Sequence, residues 1–386
     1  MEMIYVDHAA TSPLHPKVLD AMLPYFETHF GNPSSIHQFG RQARQALDQS
    51  RRTIAKVLGV SEQTLIFTSG GTEADNMAII GYALENEDKG KHIITSQVEH
   101  HAVLHACKEL EKRDFDVTYL PVDETGQVKL NDVQAALRDD TILVTLMFGN
   151  NEVGTIQPIE EVALLLKEHQ AVFHSDAVQA CGAVEFDLSD LSVDMLSISA
   201  HKINGPKGIG ILYVKEGLKL RPVLFGGEQE RKRRAGTENV AAIVGFAKAM
   251  ELTYQSIVER KERYEQFAQI LIDTWTKQDV QFFINGHQNE RLPHVLNISF
   301  PGVNIEQLLM NLDLAGIAAS SGSACTAGSI EPSHVLVAMF QDEDTRIQSA
   351  IRFSFGLGNT AEQIERVANE TAKIVSRLGQ QEEFIN

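Results

Sequence analysis

The chain has 386 residues, enough for two or three domains with a full hydrophobic core, and its 43% hydrophobic content argues against a disordered chain. Its 34 basic and 52 acidic residues give a net charge of -18, which disfavours direct binding to nucleic acid or to a membrane surface. No apolar run approaches the roughly 18 residues of a membrane span, the N-terminus lacks a signal-peptide layout, and the cysteines are few and scattered, so the sequence predicts a soluble cytoplasmic protein without disulfides.

The first two-thirds of the chain alternate short β-branched runs with amphipathic stretches. The runs predicted to be strands are Thr64–Thr68, His92–Ser96, Val117–Leu120, Thr141–Met147, Ala171–Ser175, Met195–Ser199 and Ile209–Val214. Helical patterns lie between most of them, as in Glu73–Leu84 and Val98–Lys112. This alternation predicts crossover units and a mostly parallel sheet covered on both faces. Ligands of such sheets bind beyond the carboxyl ends of the strands.

The last third of the chain predicts a smaller α+β lobe. Helical spacing from Val240 to Lys277 predicts one long helix that bridges two lobes. The runs that follow it are predicted strands at Val280–Ile284, Val295–Phe300 and Ala350–Phe355, and a final helix at Ala361–Leu378. Between them, residues 318–329 are almost all Gly, Ser and Ala, a composition typical of a loop or linker.

Polar residues that follow predicted strands are candidates for a binding site. Ser69-Gly70-Gly71-Thr72-Glu73 opens a helix, where glycines and free backbone amides suit a phosphate, although an ordinary turn and helix cap has the same composition. Asp176 and Lys202 follow separate strands. Such a pair suits pyridoxal phosphate, because its aldehyde forms a Schiff base with lysine and its ring nitrogen needs a carboxylate. Taken singly, Asp176 also fits a helix cap and Lys202 a solvated strand end.

The histidines after the strand His92–Ser96 allow two interpretations. His100, at the mouth of the sheet, is placed to stack on a flat ring or to transfer protons. His101 and His105 are four residues apart on a predicted helix, a spacing that two metal ligands can have. Neither the zincin glutamate nor a CxxC pair completes such a site, so no resident metal is expected.

Two further motifs point to competing classes of protein. Ser199-Ala200-His201-Lys202 matches the S-x-x-K motif of serine β-lactamases, but the S-D-N and K-T-G motifs of that class do not occur. The sequence also lacks a G-x-S-x-G elbow, a P-loop and a G-x-G-x-x-G motif, which weakens hydrolase, NTPase and dinucleotide interpretations. The basic run Arg231–Arg234 is typical of a solvated face, and the Thr237 that follows could help it to hold a phosphate.

Taken in order, motifs spread over nearly the whole chain resemble the cysteine desulfurases of the NifS/IscS-like branch, which are pyridoxal-phosphate enzymes of the class V aminotransferase group. The motifs are Val6-Asp7-His8-Ala9-Ala10-Thr11, Gly31-Asn32-Pro33-Ser34-Ser35, Thr68-Ser69-Gly70-Gly71-Thr72-Glu73, Glu99-His100, Asn150-Asn151-Glu152, Asp176-Ala177-Val178-Gln179, Ser199-Ala200-His201-Lys202, Arg234-Ala235-Gly236-Thr237, Ser320-Ser321-Gly322-Ser323-Ala324-Cys325 and Ile351-Arg352-Phe353-Ser354. The resemblance implies an α/β fold-type I transferase. Its large domain, with a mostly parallel seven-stranded sheet, would span residues 15–257, and its smaller α+β domain would combine 1–14 with 258–386.

The resemblance also implies a role for each site residue. Lys202 would be the Schiff-base lysine, Asp176 the partner of the pyridinium nitrogen, and His100 the group that stacks on the ring and helps to move protons. The remaining cofactor contacts would come from Gly71, Thr72, Asn151, Gln179, Ser199, Ala200, His201 and, across a dimer interface, Thr237. The residues that orient the substrate would be Asn32, Asn151 and Arg352, the last of which grips its carboxylate. Cys325 would be the nucleophile that takes the sulfur.

The implied reaction converts L-cysteine to L-alanine and leaves a persulfide on Cys325. A homodimer would then pass the sulfur to acceptor proteins, such as an iron–sulfur scaffold or a tRNA thiolase. The enzyme would hold no metal of its own, and a contact with an iron–sulfur cluster would be made through Cys325 during the transfer. Two alternatives stay open. One is an aminotransferase or selenocysteine lyase that does not need Cys325, and the other is a non-catalytic sulfur carrier that has kept the fold.

Overall fold

A computed structural model describes residues 3–321, 332–340 and 344–383 of the chain. The predicted nucleophile Cys325 lies outside these described residues. Among the residues described, no helix combines the length and the apolar character needed to cross a membrane.

The strands confirm the predicted central sheet. They are β1 Ile4–Tyr5, β2 Leu65–Thr68, β3 His92–Ser96, β4 Asp116–Leu120, β5 Thr141–Thr145, β6 Val172–Asp176, β7 Met195–Ser199, β8 Gly210–Val214, β9 Phe283–Asn285, β10 Val295–Ser299, β11 Ile317–Ala318 and β12 Ala350–Ser354. Within the described residues the largest sheet has seven strands in the order β2-β8-β7-β6-β5-β3-β4. Only β8 runs against its neighbours there, so the carboxyl ends of β3, β5, β6 and β7 meet at one edge.

Helices cover both faces of this sheet, and others pack against the smaller sheet that the last third of the chain forms. They are α1 Pro16–Glu27, α2 Gln38–Val57, α3 Gly71–Asn76, α4 Tyr82–Glu85, α5 His101–Glu111, α6 Leu130–Ala136, α7 Ile159–Leu166, α8 Gln229–Lys232, α9 Val240–Gln255, α10 Ile257–Lys277, α11 Ile305–Leu314, α12 His334–Phe340, α13 Thr345–Gln348 and α14 Ala361–Glu383. A π-helical segment, Met77–Gly81, joins α3 to α4. The three pieces together account for the helix predicted at Glu73–Leu84.

The helix α2 shows how the sequence specifies these layers. Its first turn is capped by His37, whose Nδ1 accepts the backbone N–H of Gly40 at 3.2 Å. Apolar residues recur at helical spacing on one face, where Leu47 and Ile54 are fully buried against α9. Burial of each such side chain stabilises the fold by about 1.5–3 kcal/mol. The apolar pattern of the sequence therefore determines which face of α2 packs against the core.

The prediction of one helix over Val240–Lys277 is wrong, because Ser256 separates α9 from α10. Its backbone is not helical, with φ -122° and ψ 14°, and its hydroxyl donates to the carbonyl of Leu252 at 3.0 Å. A serine that bonds to the preceding turn competes with the helix, and a break of one residue leaves the apolar spacing intact.

The strand predicted at Val280–Ile284 begins later than expected, at Phe283. Asp279 has a left-handed backbone with φ 54°, and the N–H of Val280 donates to the carbonyl of Trp275 at 3.0 Å. These are the bonds that end a helix, so Val280 belongs to the C-terminal cap of α10. Its apolar side chain marks the helix end rather than the next strand.

The last third of the chain builds a second sheet with its own core. The strands β9, β10 and β12 form an antiparallel sheet in the order β12-β10-β9. Trp275, Phe300 and Phe353 pack edge to face or tilted in the core between this sheet and its helices. The first strand of the chain joins this part of the molecule, because β1 pairs in parallel with β11. Residues near the N-terminus thereby reach the edge of the large sheet.

Candidate active site

The carboxyl ends of the central strands open into a cavity of about 410 Å³. That volume lies within the usual range of small-molecule sites, ~300–1,000 Å³. Most of the residues predicted from the sequence line it: Gly71, Thr72, His100, Asn151, Asp176, Gln179, Ser199, His201, Lys202 and Arg352. The fold therefore gathers in one place side chains that are up to 281 positions apart in the sequence, from Gly71 to Arg352.

Lys202 ends the short 3-10 turn Ala200–Lys202 that directly follows β7. Its Nζ donates to the carbonyl oxygen of Ala9 and, at 2.9 Å, to that of Ala10. Burial, and then the positive charge of Arg352, lower the pKa of Lys202 to about 8. An amine with such a pKa is partly neutral at physiological pH, which is the form that attacks a carbonyl.

Asp176 ends the neighbouring strand β6 and is 6% exposed. Its Oδ1 accepts the backbone N–H of Val178 at 2.9 Å. Burial raises the pKa of Asp176, and the nearby positive charge of Lys202 opposes that rise. A buried carboxyl of this kind is ionised most readily when a cation occupies the cavity in front of it.

The start of α3 offers backbone amides to an anion. Gly70 has φ 151°, a conformation that favours glycine, and it turns the chain from β2 into the helix. A Cβ added at Gly210 on β8 would lie 2.8 Å from the Cα of Gly70, so this close approach also requires glycine. The first amides of a helix have no partner within it. Gly71 and Thr72 at this start line the cavity together with Ser199.

Two histidines in the cavity are held neutral. His100 caps α5, and its Nδ1 accepts the backbone N–H of Ala102 at 3.1 Å, which places its ring proton on Nε2. Burial, and then the positive charge of Lys202, lower the pKa of His100 to about 4. Burial likewise lowers the pKa of His201 to about 4, and its Nδ1 lies 3.1 Å from the hydroxyl of Thr11.

Arg352 projects from β12 into the same cavity and is 4% exposed. Its Nη2 pairs with Asp7 at 2.7 Å, and its Nη1 donates to the carbonyl of Asn151 at 2.8 Å. The buried Nε has no hydrogen-bond partner among the described residues. A carboxylate is the acceptor that such a donor prefers. The sequence motif contained Asp7, but its role as the partner of Arg352 was missed.

Four predicted site residues do not line this cavity. Asn32 is exposed, and its Oδ1 accepts the backbone N–H of Ser34 at 2.8 Å. Thr237 is exposed and lines a separate depression. Ala200 is fully buried behind the cavity, and Cys325 lies outside the described residues. The roles expected for these residues stay predictions.

Asp75 and Met147 are cavity residues that the sequence reasoning missed. Asp75 is three positions after Thr72 on α3, a spacing that puts both residues on one side of the helix but does not distinguish an aspartate that faces a cavity from one that faces water. The pair His101 and His105, considered above as metal ligands, lies on α5 with ring centroids 5.3 Å apart. His334 of α12 extends this group, with its ring 4.8 Å from that of His101.

Comparisons with known proteins show the family to which the chain belongs. Residues 4–367 match the model of the class-V aminotransferase family. A relative from Bacillus subtilis that carries a cysteine desulfurase name is 59% identical over 98% of this chain and 100% of its own length. The cysteine desulfurase IscS of Methanosarcina thermophila is 48% identical, over 97% of this chain and 92% of its own.

Solved structures share the fold over nearly all of the chain. A NifS-like protein superposes with a TM-score of 0.91 and 38% identity, covering 97% of this chain and 99% of its own. SspA, solved in complex with cysteine, superposes with a TM-score of 0.81 and 36% identity, covering 91% of this chain and 98% of its own. The chain belongs to the class-V aminotransferase family and, within it, to the cysteine desulfurases.

Proposed function

We propose that the protein is a pyridoxal-phosphate-dependent cysteine desulfurase that converts L-cysteine to L-alanine and holds the sulfur as a persulfide on Cys325. The observation that carries the proposal is the meeting of Lys202 and Asp176 in one cavity. Lys202 lies in the turn that follows β7, and Asp176 ends the paired strand β6. The family match and the names of the relatives support the same reaction.

The residues of the cavity fit pyridoxal phosphate. A partly neutral amine, Lys202, and a buried carboxyl that favours a cation, Asp176, suit the aldehyde and the ring nitrogen. The amides at the start of α3, with Ser199 and His201, suit the phosphate, and the neutral ring of His100 suits stacking on a flat ring. When bound, this cofactor supplies a carbonyl for covalent linkage and an electron sink for the substrate.

Proton movements fall to two side chains of the cavity. Lys202, with a pKa of about 8 set by burial and by Arg352, can accept the α-proton of the substrate at Nζ. His100 keeps its Nδ1 as an acceptor for the N–H of Ala102, so it can give or take a proton only at Nε2. The orientation of each group is fixed by protein contacts before the substrate enters.

Substrate orientation is assigned to Arg352, Asn151 and Asn32. Arg352 holds its guanidinium in place through Asp7 and the Asn151 carbonyl, which leaves Nε to bind the carboxylate of L-cysteine. Asn151 lines the same cavity. Asn32 would reach the substrate only through movement of its exposed segment or from a second copy of the chain.

The net reaction balances without an external oxidant. L-cysteine and the Cys325 thiol give L-alanine and a Cys325 persulfide, so a carbon–sulfur bond breaks while a sulfur–sulfur bond forms. The electron pair of the broken bond stays with the carbon, which is then protonated. The sequence around Cys325 is rich in Gly, Ser and Ala, the composition from which a loop was predicted above.

The assembly is proposed to be a cytoplasmic homodimer with one site per subunit. Thr237 lies outside the cavity of its own chain, which supports a contact with the phosphate of the other subunit. Exposed apolar side chains near Asn32, including Phe30 (69%) and Ile36 (91%), support an interface in that region. Residues 15–257 would form the large domain, and 1–14 with 258–386 the small one. The acceptor would be an iron–sulfur scaffold or a tRNA thiolase.

The decisive experiment follows sulfur by mass spectrometry. Incubation with L-cysteine should add one sulfur to the peptide that contains Cys325, and Cys325→Ser should lose it while still binding the cofactor. Lys202→Ala should lose the covalent linkage and turnover. Alanine production at the normal rate by Cys325→Ser would contradict the proposal and favour the alternative of a lyase or aminotransferase on this scaffold. Light scattering at decreasing protein concentration, with activity measured in parallel, tests the dimer. A monomer that keeps full activity would contradict it.

A further inference from the structure

A second carboxyl group, that of Asp75, shares the cavity with Asp176. Asp75 lies on α3 and is 1% exposed. One of its carboxyl oxygens is within 4.8 Å of one on Asp176. Its Oδ1 is buried and has no hydrogen-bond partner among the described residues. Two carboxyl groups this close in a buried site do not both ionise at neutral pH, so one of them must keep a proton.

The titratable groups that face Asp75 come from two elements. On β6 are Asp176 and His174, whose Nε2 lies 3.7 Å from the Oδ1 of Asp75. Ahead of α5 is Glu99, which is fully buried. The side chain of Ser197 on β7 also lies near Asp75 and favours its charged form, against the effects of burial and of Asp176. Directly ahead of α5, His100 has a ring nitrogen within 4.8 Å of carboxyl oxygens of both Asp75 and Asp176. Within the described part of the chain, His174 and His100 are therefore the basic groups placed to balance an ionised Asp75.

His174 does not supply that positive charge. Its Nδ1 is 2.8 Å from the hydroxyl of Thr145 and its Nε2 is 3.0 Å from that of Ser197, so both nitrogens have neutral partners. Burial lowers the pKa of His174 to about 3. Desolvation and the positive charge of Lys202 lower the pKa of His100 to about 4, so it is neutral as well. With both histidines neutral, an ionised Asp75 would face the negative charge of Asp176 and the carboxyl of Glu99 among the described residues. Its charged form is thus disfavoured by burial and by its neighbours.

Asp176 is the better place for the charge. It accepts the backbone N–H of Val178, and Lys202 places a positive charge nearby. The Oδ1 of Asp75 has no hydrogen-bond partner among the described residues, and the histidines near it are neutral. A hydrogen bond to a charged carboxylate is stronger than one to a neutral carboxyl, so the proton of the pair belongs on Asp75.

We propose that Asp75 is a positioning residue that stays protonated, so that the Asp75–Asp176 pair carries a single negative charge, located on Asp176. A neutral Asp75 does not repel the carboxylate of Asp176, so Asp176 can keep its position in the cavity. This inference rests on the proposed function, because the cation that Asp176 would face is the protonated ring nitrogen of pyridoxal phosphate. Asp75 itself is not assigned a contact with the cofactor.

Two substitutions at Asp75 separate the effect of charge from the effect of shape. Asp75→Asn keeps the size and polarity of a protonated carboxyl, so it should bind pyridoxal phosphate with nearly the wild-type dissociation constant. Asp75→Ala removes the buried carboxyl group and leaves a gap beside Asp176, and it should bind roughly 10- to 100-fold more weakly. Asn76→Ala is the control for disturbance of α3, since the side chain of Asn76 donates to the carbonyl of Thr72 and does not line the cavity.

Infrared difference spectra report the protonation of Asp75 directly, and a purely structural role of this residue would leave that signal unchanged. Wild-type protein at pH 7 should show the carbonyl band of a protonated carboxylic acid that Asp75→Asn lacks. The proposal is overturned if no such band is lost, if Asp75→Asn binds the cofactor as weakly as Asp75→Ala, or if Asp75→Ala binds it as tightly as the wild type. If the wild-type protein does not bind pyridoxal phosphate, the proposed function fails, and the spectra of the cofactor-free protein still decide the protonation of Asp75.

Discussion

The pH at which Lys202 becomes reactive can be predicted from its surroundings. Burial, and then the charge of Arg352, lower the pKa of Lys202 to about 8 from the ordinary value of 10.5. At pH 7 about 10% of such a lysine is neutral, against ~0.03% of an ordinary one. Covalent attachment of pyridoxal phosphate at pH 7 should therefore be about 300-fold faster than at an unperturbed lysine. The rate should rise with pH and level off above a midpoint near 8.

Two substitutions should move this midpoint in opposite directions. Arg352→Gln removes a positive charge that lowers the pKa of Lys202, so the midpoint should rise. Asp176→Asn removes a negative charge that raises the pKa of Lys202, so the midpoint should fall. Each unit of displacement changes the neutral fraction tenfold well below the midpoint. Arg346→Gln is the matched control, because that arginine pairs with Asp344 outside the cavity.

The assay mixes cofactor-free protein with pyridoxal phosphate in a stopped-flow spectrometer over a range of pH. Borohydride reduction and peptide mass spectrometry then confirm that the linkage is on Lys202. A wild-type midpoint at pH 10 or above would refute the reasoning, since burial would then have no effect on the amine. A shift of both variants in the same direction would show that Arg352 and Asp176 act on Lys202 through folding rather than through charge.

Buried groups and one glycine provide three further tests. Burial raises the pKa of both Cys107 and Cys181, so a thiol reagent should label neither in the native protein, and labelling of either would contradict their burial. Burial raises the pKa of Glu99 to about 8, so the folded state keeps a proton that the unfolded state releases above pH 4.5. The contribution of Glu99 to stability is thus present at low pH and lost as pH rises through 8, and Glu99→Gln should flatten that slope in urea unfolding at pH 5 and pH 8. Gly70→Ala forces a side chain into φ 151° and should cost ~1–3 kcal/mol in the same assay.

The sequence predicted the strands best where a β-branched run is bounded on both sides. His92–Ser96 and Met195–Ser199 have the bounds that were predicted, because polar or turn residues end each run. The break at Ser256 and the cap at Val280 could not be read from apolar spacing, since both depend on hydrogen bonds to the preceding turn. The local sequence pattern therefore predicts that a helix or a strand is present, whereas the residues at which it ends depend on backbone hydrogen bonds.

The site was predictable where a functional residue ends a strand, as Asp176 does, or lies in the turn that directly follows one, as Lys202 does. Asp75 and Asp7 were missed for a physical reason. A lone aspartate on a helix or near a terminus has the same local sequence whether it faces water or a cavity, and only tertiary contacts decide. For Asp7 the deciding contact is with Arg352, which is 345 positions away.

The pairing of β1 with β11 also sets the order in which the enzyme can be completed during synthesis. Ile4 lies opposite Ile317, so the first strand waits for more than 300 further residues before its partner exists. At a synthesis rate of ~5–20 residues per second this delay is roughly 15 to 60 s. Over that time the carbonyls of Ala9 and Ala10, which hold the Lys202 amine, lack the strand pairing that anchors the chain just before them. Arg352, which lines the same cavity, is made later still, so the complete site exists only once nearly the whole chain has been made.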